Sequence, residues 1–443
     1  MKAIIVPGVT DMNKGDQALV WESHRLVKDT ELYDDIYIVT TGDTQEERDL
    51  LCKQSEAQGY SFVENIMKHP RRGKHLSDQH INESFIELAK QIKNAIFDFI
   101  SSGFLLLICN YSFLVRLFYS KKIIETVNQF RIVDTVYVKG GGFIHAYGEK
   151  TAPYLMWYFL FYVRLAKRLN KKVVFFPNSF GPFEGFTVKR QVRTVFNKLD
   201  LIYAREQVSS DSLSSLLSKQ IPVEMDLGFF LEKGNYASAQ KVLEKYGLYN
   251  DERIVGITIR PWRFPGKENP TELYEKYIKS IVDLCNHLIN NNYTIALCNQ
   301  SLGPNSHEDD RNAIKEVLSK VQHKNIVWID ENLPCDVLKA IYSNFYFFVG
   351  TRFHSIIFSL TSSVPSIAIG YGGNKAKGIM GDFNLDDYVI QIHEVNSEQL
   401  ISIFDNAINN YKSIKEKLDN SMKLVQESRN RMILDIKKMY NRS

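Results

Sequence analysis

The chain has no C-x-x-C pair, no H-E-x-x-H helix and no D-x-D pair in a strand-end loop. Those absences remove the usual grounds for a thiol redox centre or a protein-held metal, and no metal is expected. The five cysteines, Cys52, Cys109, Cys285, Cys298 and Cys335, are scattered and odd in number, which suits reduced thiols better than a disulfide framework. Charge of one sign is also lacking: Lys and Arg total 55 against 51 Asp and Glu, and an interspersed net charge of +4 implies no nucleic-acid partner. Long apolar runs are missing. The stretch from Phe99 to Phe118 is interrupted by Ser101, Ser102, Gly103, Asn110 and Arg116, short of the roughly 18 continuous apolar residues of a spanning helix. The first residues, Met1-Lys2-Ala3-Ile4-Ile5-Val6, run straight into a strand without a signal-peptide pattern. The expected location is therefore cytoplasmic, with the mature chain starting here.

What is present is a chain of 443 residues with 44% apolar content, more than one hydrophobic core usually serves and enough to bury two. Short β-rich apolar runs alternate with helical patterns. Lys2 to Pro7, Asp35 to Thr40, Val133 to Lys139, Val173 to Pro177, Leu201 to Ala204 and Pro222 to Met225 read as strands, and Gln17 to Lys28 as a helix. A second series opens at Ile254 to Ile259 and continues with Tyr293 to Leu297, Ile326 to Ile329, Phe345 to Val349 and Ser366 to Gly370. The pattern predicts an α/β protein of two Rossmann-like domains facing a central crevice, each with a parallel sheet. The expected domains are residues 1–232, with a helical insertion at about 65–130, then 233–408, then a helical tail at 409–443.

Ligands of such folds sit at the carboxyl ends of the strands, and several loops there carry chemistry. The first runs from Pro7 to Asp16 into the helix at Gln17; its glycines allow a tight turn and the helix start favours an anion, making Asn13, Gly15 and Asp16 candidates, with a helix cap as the other reading of Asp16. In the second, Gly140-Gly141-Gly142 before His145, the backbone at Gly141 and Gly142 can approach a ligand closely. In the third, Pro177 to Phe183, glycine and proline predict a turn from which Asn178 and Ser179 offer donors. Arg260 ends a strand and suits phosphate or carboxylate, with Trp262 available to stack on a sugar.

The densest set is Phe348-Val349-Gly350-Thr351-Arg352-Phe353-His354, followed by Tyr371-Gly372-Gly373-Asn374-Lys375. A guanidinium, an imidazole and an ammonium after a strand suit an anionic substrate whose chemistry needs a proton. The competing reading has Arg352 and His354 cap a strand and pair with surface carboxylates. Asp309-Asp310 reads as a solvated helix start. The aromatic run Tyr154 to Tyr162, beside Arg164, Lys167 and Arg168, fits either core packing or peripheral contact with the inner face of a membrane.

Several pieces recur in a fixed order: Asn13-Lys14-Gly15-Asp16-Gln17-Ala18, Gly140-Gly141-Gly142, Ser179-Phe180-Gly181-Pro182-Phe183, Tyr203-Ala204-Arg205-Glu206 with Ser209, Asp226-Leu227-Gly228-Phe229, and Thr351-Arg352-Phe353-His354 through Pro365 to Tyr371 and Lys375. The ordered set resembles the polysaccharide pyruvyl transferase family, and residues 45 to 130 match nothing in that pattern. The resemblance implies a GT-B-like fold, no cofactor, and phosphoenolpyruvate as donor substrate. A pyruvyl group would pass to a sugar of a cell-surface polysaccharide, exopolysaccharide or capsule, or to its lipid-linked oligosaccharide precursor, forming a cyclic ketal and releasing phosphate. On that chemistry His354 protonates the enol methylene, Arg352 with Arg260 or Lys375 holds the donor, and Asp16, ahead of Glu206, deprotonates the sugar. The first domain would serve the acceptor and the second the donor. A nucleotide-sugar glycosyltransferase, a non-catalytic glycan-binding component of envelope assembly, and a two-domain epimerase share the expected architecture.

Overall fold

The computed structural model describes residues 1–70, 85–303, 305–371 and 375–441. Its chain forms two compact units, one of residues 1–11, 19–227 and 428–443, the other of residues 12–18 and 228–427.

The first series comprises β1 (Lys2–Val6), α1 (Lys14–Asp29), β2 (Asp35–Val39), α2 (Gln45–Ala57), β3 (Ser61–Val63), α3 (Phe85–Ile108), α4 (Ser112–Phe118), α5 (Lys121–Ile132), β4 (Thr135–Val138), β5 (Gly141–Tyr147), α6 (Ala152–Phe159), α7 (Phe161–Arg168), β6 (Lys172–Glu184), α8 (Val188–Phe196), β7 (Leu201–Ala204) and α9 (Gln207–Leu217). Its strands run parallel in the order β3-β2-β1-β4-β6-β5, with β7 also on β6. The centre of the sheet is buried on both faces: every residue of β4 and four of the five in β1 are buried. Continuous apolar runs such as Ala3-Ile4-Ile5-Val6 are the consequence.

The second series comprises α10 (Tyr236–Lys245), β8 (Ile254–Thr258), α11 (Pro270–Asn290), β9 (Thr294–Cys298), α12 (Asp310–Leu318), β10 (Ile326–Ile329), α13 (Cys335–Tyr342), β11 (Phe347–Gly350), α14 (Phe353–Leu360), β12 (Ser366–Gly370), α15 (Lys375–Asp382), β13 (Val389–Gln391), α16 (Ser397–Asn409) and α17 (Tyr411–Asn441). Its parallel sheet has the order β10-β9-β8-β11-β12-β13. In that doubly wound order the first strand of the series lies beside the fourth, and the direction of winding reverses between β8 and β11. The loops that leave those two strands therefore diverge and open a crevice, which fixes where a site can form.

Two expected loops are strand. Gly141 and Gly142 begin β5, which pairs in parallel with β6 from Gly141 opposite Asn178 to Tyr147 opposite Glu184. The turn expected over Pro177 to Phe183 lies inside the 13-residue β6; β7 pairs with it as far as Asn178, pairing with β5 carries the strand on to Glu184, and Gly181 at φ +82° absorbs the irregularity. Pro222 to Met225 forms only an isolated bridge, Ala204 to Val223. The stretch Phe99 to Phe118, judged too interrupted for a spanning helix, is divided between the end of α3 and α4. α3 ends at Ile108, and its stretch Ala89–Ile108 is long and apolar enough to cross a membrane by length and composition. Within the expected insertion, residues 71–84 lie outside the described residues and 85–132 form α3, α4 and α5. The aromatic run occupies α6 and the start of α7, where Met156, Leu160, Phe161 and Tyr162 are core.

Candidate functional site

The β8–β11 switch point is where the strongest candidates meet. Thr351 ties the two strand ends together: its Oγ1 donates to Thr258 O at 3.0 Å and accepts from Arg260 N at 3.0 Å. Arg260 follows β8 and Arg352 follows β11, so neighbouring strands deliver two guanidinium groups to one place. Both are buried, at 5% exposure.

The guanidinium of Arg352 is fully engaged. Nε donates to Asp310 Oδ1 at 2.8 Å, Nη1 to Glu308 Oε2 at 2.7 Å and Nη2 to Glu308 O at 2.8 Å. Burial alone would lower its pKa; Asp310, Tyr371 and Glu308 outweigh that and hold it above the ordinary arginine value. Asp310 is fully buried and also accepts from Gln300 N and Ser301 N at 3.0 and 2.9 Å. The solvated helix start expected at Asp309-Asp310 is thus half right: Asp309 caps α12 and pairs with Arg311, whereas Asp310 is the buried counter-ion of Arg352. The competing reading of Arg352 as an ion-pair residue is correct in kind, but of its two carboxylates Asp310 is fully buried and only Glu308 is partly exposed.

Glu308 joins the two arginines, its Oε1 accepting from Arg260 Nη2 at 3.0 Å. Burial would raise its carboxyl, yet Arg352 and Arg260 together hold it below the ordinary glutamate value. Arg260 is wedged between rings, its guanidinium carbon 4.0 Å from the Tyr371 centroid and 4.6 Å from that of Trp262. Its Nε finds no hydrogen-bond partner among the described residues. Trp262, expected to meet a sugar, packs on Tyr371 at 4.9 Å as well as on Arg260.

His354 stands in the first turn of α14, two residues beyond Arg352, with Phe353 and Phe358 beside its ring. The residue closing the other side comes from the far end of the sequence. A Cβ placed on Gly15 would lie 2.1 Å from His354 Nδ1, so the imidazole occupies the space that a side chain at Gly15 would need.

Residues 12–18 belong to the second unit, contrary to their assignment by position to the first domain. Lys14 N donates to Gln300 O at 3.0 Å, Asn13 bridges Ser301, and Gln17 Oε1 accepts from Cys335 N at 2.8 Å. Asn13 is the cap of α1: its Oδ1 accepts from Gly15 N at 3.1 Å and Asp16 N at 3.2 Å, which leaves Asp16 in the first turn and removes its reading as the cap. Lys14 is buried at 1% exposure with Nζ bonded to Asn332 Oδ1. Lys375 opens α15; its side chain, with Gly372, Gly373 and Asn374, lies outside the described residues.

The candidates of the first unit form a separate cluster at the ends of β6 and β7. Asn178 is fully buried and both hydrogens of its amide are spent on Lys139 O and Phe176 O, each at 2.9 Å. Ser179 Oγ donates to Glu206 Oε2 at 3.0 Å and accepts from Arg205 Nε at 2.7 Å. Arg205 continues to Asp226 at 2.7 Å, and Glu206 also accepts from Ser209 Oγ. Asn178 and Ser179 were expected to present donors to a ligand; those donors instead stitch β4, β6, β7 and α9 together, because a buried amide or hydroxyl at a strand end must find a local acceptor. Gly141 lies at φ +142° above Asn178, and His145 Nδ1 is 3.0 Å from Gly142 O.

A family model for polysaccharide pyruvyl transferases matches residues 13–373, from Asn13 through Arg352 and His354. The chain belongs to the polysaccharide pyruvyl transferase family. Among curated proteins it is similar to the amylovoran biosynthesis protein AmsJ of Erwinia amylovora, 22% identical over 277 residues that cover 61% of this chain and 66% of AmsJ. Among solved structures, a glycosyltransferase from Rickettsia africae aligns over 100% of this chain and 99% of its own at TM-score 0.54 and 14% identity. A UDP-GlcNAc 2-epimerase from Neisseria meningitidis aligns over 99% and 100% at TM-score 0.54 and 13% identity. Those likenesses bear out the GT-B-like α/β fold expected from the sequence. In this member of the pyruvyl transferase family, sequence reading missed Glu308, Asp310, Lys14 and Asn332. Glu308 and Asp310 flank a capping aspartate in a polar run that resembles any solvated helix start, and a lysine followed by glycine resembles any loop.

Proposed function

We propose that the protein transfers a pyruvyl group from phosphoenolpyruvate to two hydroxyls of a sugar in a polysaccharide or its lipid-linked precursor, giving a cyclic ketal and inorganic phosphate. The observation that carries this reading is the meeting of two distant family segments at one point, Gly15 against His354, beside the buried Arg260 and Arg352. Family membership supplies the reaction class, and the residues suit its steps.

In this reading His354 delivers a proton to the methylene carbon of the enol, and the carbon bearing phosphate becomes electrophilic. One sugar hydroxyl adds there, phosphate departs, and the second hydroxyl closes the ketal. Arg260 supplies a guanidinium edge to the donor's carboxylate or phosphate through Nε. Arg352 acts as a positioning residue: by binding Glu308 and Asp310 it holds the loop that orients Arg260. Asp16, one residue from Gly15, is the candidate base for the acceptor hydroxyl, ahead of Glu206, whose oxygens are already bonded to Ser179, Ser209 and Arg205. The second unit is proposed to serve the donor.

Incubation of lipid-linked oligosaccharide fractions with phosphoenolpyruvate, followed by mass spectrometry and phosphate assay, tests the proposal. An added pyruvyl ketal with matching phosphate release is expected. Turnover of a nucleotide sugar without any use of phosphoenolpyruvate would overturn it.

A further inference from the structure

More than half of the large apolar side chains exposed among the described residues fall within residues 86–118, on α3, α4 and the turn between them in the first unit. The outward face of α3 carries Ile92, Ile96, Phe97, Ile100 and Leu107, each between 52% and 67% exposed, and Phe113 on α4 reaches 74%. An apolar face of this extent in water is unfavourable and marks an interaction surface.

The other face of α3 is anchored. Leu105 and Leu106 lie in the core, Ser102 Oγ accepts from Trp157 Nε1 at 2.9 Å, and Tyr119 donates to Ser101 O at 2.6 Å. At 1.5 Å per residue the apolar stretch would span about 30 Å, the thickness of a bilayer core. Crossing would strip the anchored face from its partners, whereas lying in the plane of a bilayer surface satisfies both faces.

The surroundings are basic. Lys93, Arg116 and Lys121 are exposed on or beside the apolar face. Next to it is a cavity of about 710 Å³ lined by Ile92, Ile96 and Phe99 together with Lys150, Arg164 and Arg190. Arg164 lies over the Trp157 ring at 4.7 Å, Nη2 donates to the neutral amide of Gln191 at 3.0 Å, and Nε has no hydrogen-bond partner among the described residues. Burial lowers its pKa to about 10, so it stays charged at neutral pH. No ion pair is formed by Lys150, Arg164 or Arg190 among the described residues. A largely buried cation without a counter-ion is costly, and an anion entering the cavity would remove that cost.

We propose that the α3–α4 face docks on a bilayer bearing anionic phospholipid, with a lipid phosphate seated among Arg164, Arg190 and Lys150. A second copy of the chain fits less well: a two-fold interface would set this basic patch against itself. Docking of this kind is independent of the reaction catalysed.

Flotation of the full-length protein with phosphatidylcholine vesicles, with and without phosphatidylglycerol, tests the proposal at low and high salt. Binding is expected with the anionic vesicles and weakened by salt. The double variant Ile96→Ser/Phe97→Ser, exposed positions whose replacement leaves the core intact, should lower the partition coefficient by about tenfold or more. Arg164→Gln should reduce the preference for anionic over neutral vesicles, while Leu434→Ser, exposed on α17, should change nothing. Thermal melts of each variant confirm folding. Absence of flotation with anionic vesicles, or flotation indifferent to Ile96→Ser/Phe97→Ser, would overturn the proposal. So would light scattering that shows a dimer in the parent and a monomer in the double variant.

Discussion

Gly15 and His354 share one volume: a methyl group on Gly15 would stand 2.1 Å from His354 Nδ1 and 2.5 Å from Cγ. Each lies in the first turn of a helix, α1 and α14, so neither backbone can easily yield and the imidazole must move if the glycine gains a side chain. The contact makes Gly15 the rear wall of the proposed proton donor.

Gly15→Ala should cost both stability and activity. The methyl group would overlap Nδ1, Cγ and Cβ of His354, and an overpacking cost of about 1–3 kcal/mol outweighs the preference of about 1 kcal/mol for alanine in a helix, so the melting temperature should fall. Phosphate release from phosphoenolpyruvate should fall by about 10²-fold, the lower end of what a displaced general acid costs. Unchanged turnover would show that the imidazole has no catalytic position to lose.

His354→Ala should reduce turnover by about 10²–10⁴-fold while phosphoenolpyruvate affinity, read by calorimetry, stays within a few-fold of the parent. The proposed role is delivery of a proton, not retention of the donor. A loss of turnover under tenfold would remove His354 from the mechanism.

Arg352→Ala should unfold the second unit more easily, because Asp310 would be left fully buried without its cation, while Glu308 keeps Arg260. Breaking such a pair from one side typically costs about 3–5 kcal/mol. Chemical denaturation followed by fluorescence would read it, and a variant as stable as the parent would contradict the positioning role.

Arg260→Gln keeps a polar side chain but loses the charge at the proposed donor site. The expected signature is a KM for phosphoenolpyruvate raised about tenfold or more with acceptor KM unchanged, since loss of a hydrogen bond to a charged group costs about 1.5–3 kcal/mol. An effect confined to the acceptor would move Arg260 to the sugar.

Stability should also depend on His24, whose ring packs on Tyr60 at 4.5 Å. Burial, with Lys28 nearby, lowers its pKa to about 4. The unfolded chain binds a proton near the ordinary value of about 6.5 and the folded chain does not, so stability is full above that value and declines as pH falls toward 4. His24→Gln should flatten that slope in melts taken across the interval; an unaltered slope would assign the acid sensitivity elsewhere.

The alternation of short buried strands with helices was legible because parallel strands covered on both faces must be apolar throughout, as Ala3 to Val6 and Phe347 to Val349 are. Arg260 and Arg352 could be placed at strand ends for the same reason. The strand identity of Gly141 and Gly142 was hidden, since three glycines carry no β signal and only pairing with β6 makes them a strand. The turn expected at Gly181-Pro182 failed likewise, because pairing with β5 on one edge of β6 overrode local turn chemistry.

By itself the sequence determined the α/β class, two series of strands, the family and the neighbourhood in which His354 and Arg352 sit. Those follow from patterns within a few residues or from ordered motifs along the chain. The tertiary structure decided that residues 12–18 belong to the second unit, that Asp310 is a buried counter-ion and that Gly15 makes room for His354. A charged side chain reads the same in sequence whether water or a buried partner neutralises it. Which of the two does so depends on contacts between segments far apart in the chain, 42 residues for Arg352 and Asp310, and the fold alone supplies them.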